Sequence, residues 1–188
     1  MSTKRGRLVV FSVAMLLGGI ATMTDSGQLG TVRSDSSLHP FRERVAAYTQ
    51  LRRQIIDDLL ENGIDPSAED GREFRQRLGL ALREARHQSQ PGEIFSADVA
   101  GHMRQMVWNA LRGEDDLLSE VPTVPAVRVN DLYPEGEPLA TVPPSLLQQF
   151  EPLPPELQYR LLSNALILLD IDTALIVDFI PNAFQRSS

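Results

Sequence analysis

Three histidines are the first residues to consider for metal binding or proton transfer: His39, His87 and His102. Imidazole titrates near neutral pH and ligates transition metals. A shared metal site needs several ligands at fixed spacing, such as two histidines four residues apart in a helix. The three histidines lack that spacing, so the sequence favours surface or helix-end histidines over a metal or catalytic centre.

His102 precedes Met103 and lies close to Met106. Imidazole and thioether ligands together suit copper in an oxidising compartment. The same two methionines also fall on the apolar stripe of a predicted helix, as expected for core side chains. The core interpretation is preferred, and a metal-binding protein that uses His87, His102 and the methionines is the alternative.

Acidic residues near the C-terminus form two further candidates. Asp170 and Asp172 flank a predicted turn, where carboxylates bond their own backbone, and two carboxylates without further ligands do not define a calcium loop. Asp178 interrupts an apolar strand. An isolated charge there must face solvent or be paired, and Arg160 is the expected arginine partner.

Several function classes are excluded by what the sequence lacks. It has no cysteine, so no disulfide, thiolate metal site or cysteine nucleophile can form. Serine-nucleophile motifs and Gly-rich phosphate loops are also missing. The net charge is −7, with 12 acidic and three basic residues over 114–188, which argues against nucleic-acid binding. We therefore expect no catalytic residue, no cofactor, no bound metal and no nucleic-acid partner.

The N-terminus has the pattern of a secretory signal peptide. Lys4, Arg5 and Arg7 precede a largely apolar run over 8–20, and Ala21 stands at a small-residue cleavage position. The run is shorter than the roughly 20 residues that span a bilayer, which favours a cleaved signal over 1–21 and a flexible leader over 22–37. The sequence predicts an exported, periplasmic or secreted protein that meets the membrane only before cleavage, with an uncleaved anchor as the alternative.

Residues 38–113 have helical periodicity and predict three amphipathic helices. The first follows Pro40 and ends at Gly63 in a Schellman motif. The second is expected to begin at Ser67, because a capping-box pattern starts there. The third begins after Ser96, and Gly113 closes it.

Residues 114–156 contain nine of the 13 prolines and open with an acidic run, which predicts an extended Pro-rich acidic connector. Residues 157–184 are dense in Leu, Ile, Val and Phe and predict a three-stranded antiparallel meander. Its strands are expected at 157–162, 165–169 and 174–180, and the first turn at Ser163 and Asn164, because asparagine tolerates positive φ.

Both faces of the meander are apolar, so each must be covered. One face, with Ile167 and Val177, is expected to pack on the helices. The other is expected to meet the connector, a protein partner or a second copy of the chain. The residues of this candidate interaction face are Leu166, Leu168, Ile176 and Ile180.

The C-terminal stretch from Leu153-Pro-Pro-Glu through Tyr159-Arg160 to the run that ends at Ile180 looks like the tail of uncharacterised exported bacterial proteins. It is more distantly similar to the C-terminal hairpin of periplasmic nickel/cobalt-homeostasis proteins of the RcnB type. In that family a Tyr-Arg-led strand, a polar turn and a second strand ending in Asp recur. The resemblance implies a small exported module, and metal binding does not carry over because this chain lacks a His-rich segment.

These observations predict an α+β protein with a helical region, a connector and a C-terminal meander. We interpret it as a noncatalytic envelope or periplasmic interaction or structural module. A periplasmic metal-binding or metal-homeostasis protein is the alternative.

Overall fold

The structure, a computed structural model, describes residues 38–64, 66–67 and 71–185. The predicted signal peptide and leader lie outside the described residues. Helices precede the sheet along the chain, which confirms an α+β fold. The helices are α1 (His39–Glu61), α2 (Arg72–Ala85), α3 (Ala97–Leu111), α4 (Asp115–Ser119) and α5 (Pro144–Leu147), and the strands are β1 (Leu157–Leu162), β2 (Ala165–Asp170) and β3 (Leu175–Ile180).

The ends of α1 and α2 show how far local sequence determines the helices. The N–H of Gly63 donates to Leu60 O at 2.9 Å and that of Ile64 to Leu59 O at 3.0 Å, so the Schellman ending is confirmed. α2 begins at Arg72 and not at Ser67. Gly71 precedes it with a left-handed φ of 68°, a conformation that separates the Ser67 segment from the helix.

The three strands form an antiparallel sheet in the order β1-β2-β3. Leu168 pairs with Asp178 and Leu169 with Ile176, so Val177 is an extra residue in β3. Such a β-bulge interrupts the alternation of side chains. Val177 packs among the helices and Asp178 bonds to the loop before α3, so two successive side chains point to the same side.

Helices α1, α2 and α3 cover one face of the sheet and form the larger core with it. Its aromatic rings make a column: Phe41 lies 5.7 Å from Phe95, Phe95 lies 6.4 Å from Tyr159, and Tyr159 lies 4.9 Å from Phe150, between ring centroids. Offset-stacked and edge-to-face pairs at these distances stabilise a core beyond the area that they bury. The column connects α1, the loop before α3, β1 and the segment after α5.

The connector covers the other face of the sheet. Val124, Val127 and Tyr133 pack against Ile167 and Ile176 in a second apolar cluster. The connector therefore supplies a layer of the core although it has few regular elements, and it contains the acidic helix α4 that the proline content did not predict.

The connector also pairs with both edges of the sheet. Asn130 N donates to Ile176 O, and Ile176 N donates to Asp131 O, each at 2.9 Å. At the opposite edge Leu161 N donates to Ala140 O at 3.1 Å. These bonds satisfy edge groups that would otherwise invite pairing with another chain.

The residues predicted to form the interaction face do not share one face. Leu166, Leu168 and Ile180 belong to the core against the helices, whereas Ile176 packs under the connector. All four are buried. The bulge at Val177 breaks the alternation in β3 and separates Ile176 from Ile180. Within β2 the alternation holds, but the helices cover the face opposite to the one predicted, because both faces of β2 are apolar and either could have met them. Ile167, assigned to the helix side, also lies under the connector.

Candidate functional site

A buried polar cluster joins α1 to the end of β2. The carboxylate of Asp170 is fully buried and accepts from the hydroxyl of Tyr48 at 2.8 Å and from Nε of Arg52 at 2.9 Å. Arg52 also pairs with the more exposed Asp172. Burial, and then the Asp170 carboxylate, raises the pKa of Tyr48 far above its ordinary value, so the phenol keeps its proton and acts as a donor.

Asp178 accepts its hydrogen bonds from backbone groups. Oδ2 accepts from the N–H groups of Ile94 at 2.7 Å and Phe95 at 2.8 Å. Oδ1 accepts from those of Gly92 at 2.9 Å and Phe179 at 2.8 Å. The expected pairing with Arg160 is therefore wrong. Four N–H donors stabilise the buried carboxylate, and the nearby guanidinium of Arg86 adds a favourable charge interaction without a direct hydrogen bond. Nothing in the sequence of the loop that supplies three of these donors indicated that it binds Asp178.

Arg86 completes the polar contacts between the helices and the sheet. Its guanidinium lies 5.3 Å from the centroid of the Tyr48 ring, a cation–π distance. It donates to the carbonyl of Val177 at 2.8 Å and to Oδ1 of Asn130 at 3.0 Å. Burial lowers the pKa of Arg86. The side chains of Asp170, Asp178 and Arg86 all have hydrogen-bond partners within the protein. Their geometry therefore indicates a structural role.

The predicted metal candidates lie apart. His39 pairs with Glu43 at 3.2 Å, the Nδ1 of His87 lies 2.8 Å from Glu84 O, and His102 is exposed on α3. Met103 and Met106 pack in or against the core. Within the part of the chain that the structure describes, no three His, Asp or Glu side chains are grouped closely enough to hold a metal ion.

A surface groove runs along α2 and is the candidate interaction site. Its volume is about 590 Å³. One wall is the outer stripe of α2, the opposite wall is formed by connector residues, and the floor is the β2–β3 turn. We name this site the α2 groove. Its lining residues are Arg72, Arg75, Gln76, Gly79, Leu80, Arg83, Leu132, Glu135, Asp172, Thr173 and Ala174.

Gly79 and Thr173 bring the turn close to the helix. A Cβ at position 79 would lie 3.5 Å from the Cβ of Thr173, which is van der Waals contact. A longer side chain at 79 would occupy the floor of the groove. An alanine would therefore fit at position 79, and the approach of Thr173 limits this position to small side chains.

Leu80 and Leu132 face the groove from its two walls, and they are 62% and 53% exposed. Among the large apolar side chains of the described ranges, these two are the most exposed. Leu132 is held in place because its backbone lies opposite Leu175 at the edge of β3. Sequence reasoning missed this pair, since the two leucines belong to different segments.

No protein-family model, curated protein or solved structure matches this chain. Among the residues described here, no helix combines the length and apolar character needed to cross a membrane.

Proposed function

We propose that this protein is a noncatalytic, exported interaction module that holds a protein partner in the α2 groove. The observation that carries the proposal is the position of Leu80 and Leu132, the two most exposed large apolar side chains of the described part, on facing walls of one groove. Interfaces concentrate their binding energy in a few apolar or aromatic anchors that a polar rim surrounds.

The rim of the groove indicates the chemistry of the partner. Arg72, Arg75 and Arg83 line the α2 wall, whereas the carboxylates Glu135 and Asp172 line the opposite wall and the floor. Arginine is enriched at protein interfaces because its planar guanidinium binds carboxylates in a fixed geometry. The partner segment is expected to carry an apolar side chain that enters between Leu80 and Leu132, with an acidic residue beside it that reaches the arginine wall.

The sheet is not the binding surface in this proposal. Its faces are covered by the helices and the connector, and connector residues bond to its outer strands. The β2–β3 turn, which forms the groove floor, remains available to a partner.

Site-directed photocrosslinking in the native host tests the proposal. A photoreactive phenylalanine analogue replaces Leu132, and Leu139 serves as the control position because it is 52% exposed and does not line the groove. We expect a discrete adduct from position 132 and none from 139. Adding Leu80→Glu to the 132 variant is expected to lower the adduct yield about tenfold or more, as for the loss of an interface anchor.

Equal adducts from positions 132 and 139, or an adduct that Leu80→Glu does not weaken, would overturn the proposed groove. Leu147→Glu is the matched control for the added charge, because Leu147 is exposed on α5, outside the groove. It is expected to leave the adduct unchanged.

Export is tested separately. A basic segment, an apolar core and a small residue at the cleavage position support removal of about the first 20 residues. Intact-mass measurement of protein from the native host is expected to show the shortened chain outside the cytoplasm. A full-length species in the membrane fraction would instead support the uncleaved anchor.

A further inference from the structure

A second cleft, at the opposite end of β3 from the α2 groove, has a different chemistry. Its volume is about 600 Å³, within the range of about 300 to 1,000 Å³ typical of small-molecule sites. Four segments far apart in the chain meet there: the end of α3, the start of the connector, the β1–β2 turn and the segment after β3. We name it the Trp108 cleft, and its lining residues are Trp108, Thr123, Val124, Ser163, Asn164, Asn182, Phe184 and Gln185.

Among the residues that the structure describes, no charged side chain lines the Trp108 cleft. A smaller adjoining pocket shares Trp108, Phe184 and Gln185 with it and adds one residue of each sign, Arg112 and Asp115. Phosphate, nucleotide and carboxylate ligands are recognised by clustered cations, and none of the described lining residues is a cation. Its polar groups are amides and hydroxyls, which bind uncharged hydroxylated or amidated ligands.

The amides of Asn164 and Asn182 are held side by side. Nδ2 of Asn164 donates to Oδ1 of Asn182 at 2.7 Å. This bond uses the amino group of Asn164 and the carbonyl of Asn182, so the carbonyl of Asn164 and the amino group of Asn182 remain for a ligand. If both amides are flipped, the two residues exchange these roles and one carbonyl and one amino group still remain. A neighbouring donor and acceptor match two adjacent sugar hydroxyls, each of which both donates and accepts.

Several hydrogen bonds hold the β1–β2 turn that carries Asn164. Ser163 has a left-handed φ of 56°, which is costly for serine, and its N–H donates to Pro122 O at 2.7 Å. Its hydroxyl accepts from Val124 N at 2.9 Å and lies 3.2 Å from Val124 O. On the other side of the cleft Ala183 N donates to Asn164 O at 2.8 Å. A preorganised site of this kind loses little entropy when it binds a ligand.

Trp108 is the only tryptophan in the chain, and it is not fully buried but lines both pockets. An indole ring presents a flat, electron-rich face, on which the C–H groups of a sugar ring pack while its hydroxyls reach the amides. An extended peptide is less well suited, because peptides are usually captured by an unpaired sheet edge and the connector bonds to both outer strands.

From this juxtaposition of one indole, two paired amides and an uncharged lining, we propose that the Trp108 cleft binds a neutral oligosaccharide. The proposal is independent of the partner bound in the α2 groove, since the two sites share no residue.

Intrinsic fluorescence tests the proposal directly, because Trp108 is the sole indole and its emission reports on the cleft and the pocket that adjoins it. The purified protein is titrated with chitotetraose, cellotetraose and maltotetraose. A saturable change in Trp108 emission with at least one of them is expected. A response to chitotetraose alone would identify an N-acetylated glycan, and a response to the other two would identify a plain glucan.

Asn182→Gly is the first variant, because glycine adopts the left-handed φ of 51° found at Asn182 and removes only the amide. It is expected to weaken binding about tenfold, the effect of losing one or two hydrogen bonds. Asn164→Ala is expected to act in the same direction, with thermal melts to establish that both variants fold. Asn109→Ala, an exposed amide next to Trp108 in sequence that does not line the cleft, is the matched control and is expected to bind normally.

No saturable change with any of the three tetrasaccharides at millimolar concentration would overturn the proposal. So would binding that a folded Asn182→Gly variant leaves unchanged. An equal response to tetra-alanine would assign the cleft to peptide backbones and would also overturn it.

Discussion

Asp170 and Asp178 are fully buried carboxylates on neighbouring strands of the sheet, and different groups stabilise them through hydrogen bonds. Asp170 has a guanidinium and a phenol, whereas Asp178 has four backbone N–H groups. A buried charge without such partners would cost several kcal/mol. Each carboxylate therefore ties one loop or helix to the sheet.

Replacing Asp178 by Asn tests the role of the backbone donors. The carboxamide keeps one oxygen for two of the N–H groups, while its amino group faces the other two donors and leaves them unpaired. Each buried, unpaired group costs about 1 to 3 kcal/mol, so Asp178→Asn is expected to lower the free energy of unfolding by about 2 to 5 kcal/mol. Urea unfolding measures this loss.

Asp172→Asn is the control, since the Asp172 side chain is half exposed and exposed ion pairs contribute about 0 to 1 kcal/mol. Similar losses in the two variants would contradict the special role of the Asp178 carboxylate.

At the scale of elements, β3 and the connector decide which side chains each face of the sheet presents. The bulge at Val177 turns two successive residues toward the helices. The connector places Val124, Val127 and Tyr133 on the remaining face. Both faces of the meander are therefore internal, and the sheet serves as the central layer of the molecule.

Charge on either face is consequently expected to unfold the protein. Leu168→Asp and Ile176→Asp each bury an unpaired carboxylate, at a cost of several kcal/mol, against a total stability of roughly 5 to 15 kcal/mol. Loss of the cooperative thermal transition, followed by circular dichroism, is the expected result for both. Ile171→Asp, in the exposed part of the β2–β3 turn, is expected to melt close to the unmodified protein.

A folded Ile176→Asp variant would show that the connector can leave the sheet without loss of the core. In that case the face beneath the connector would again be available to a partner.

At the scale of the whole molecule, all three tyrosines couple stability to alkaline pH. Burial raises the pKa of Tyr48, Tyr133 and Tyr159 above the ordinary value of 10.0. The unfolded chain therefore loses these protons first as the pH rises. Their contribution is fully present below pH 10 and decreases above it, by up to about 1.4 kcal/mol per pH unit for each tyrosine.

We expect the free energy of unfolding to fall steeply above about pH 10, the ordinary tyrosine pKa, and Tyr48→Phe to make this fall shallower. The same variant is expected to be less stable at neutral pH, because Asp170 loses the hydroxyl that donates to it. Denaturant titrations across the alkaline range measure both effects. An unchanged alkaline slope in Tyr48→Phe would contradict the assignment to Tyr48.

Local patterns in the sequence determined the class of fold, the end of α1 and the three strands to within about a residue at each end. A Schellman ending depends on a few consecutive residues, and a strand or a tight turn depends on neighbours in the chain. The turn at Ser163 and Asn164 was located correctly, although Ser163 and not Asn164 takes the positive φ.

Only the tertiary structure decided which face of the sheet meets the helices, because both faces of β2 are apolar. It also decided where the alternation in β3 reverses, because one extra residue there moves the side chains that follow it to the other face. The tertiary structure further decided what covers each face and where Asp178 finds its donors. It brought Leu80 and Leu132 to one groove, and Trp108, Asn164 and Asn182 to one cleft. These contacts join segments far apart in the chain, and single-sequence patterns carry no information about which distant segments will pack together.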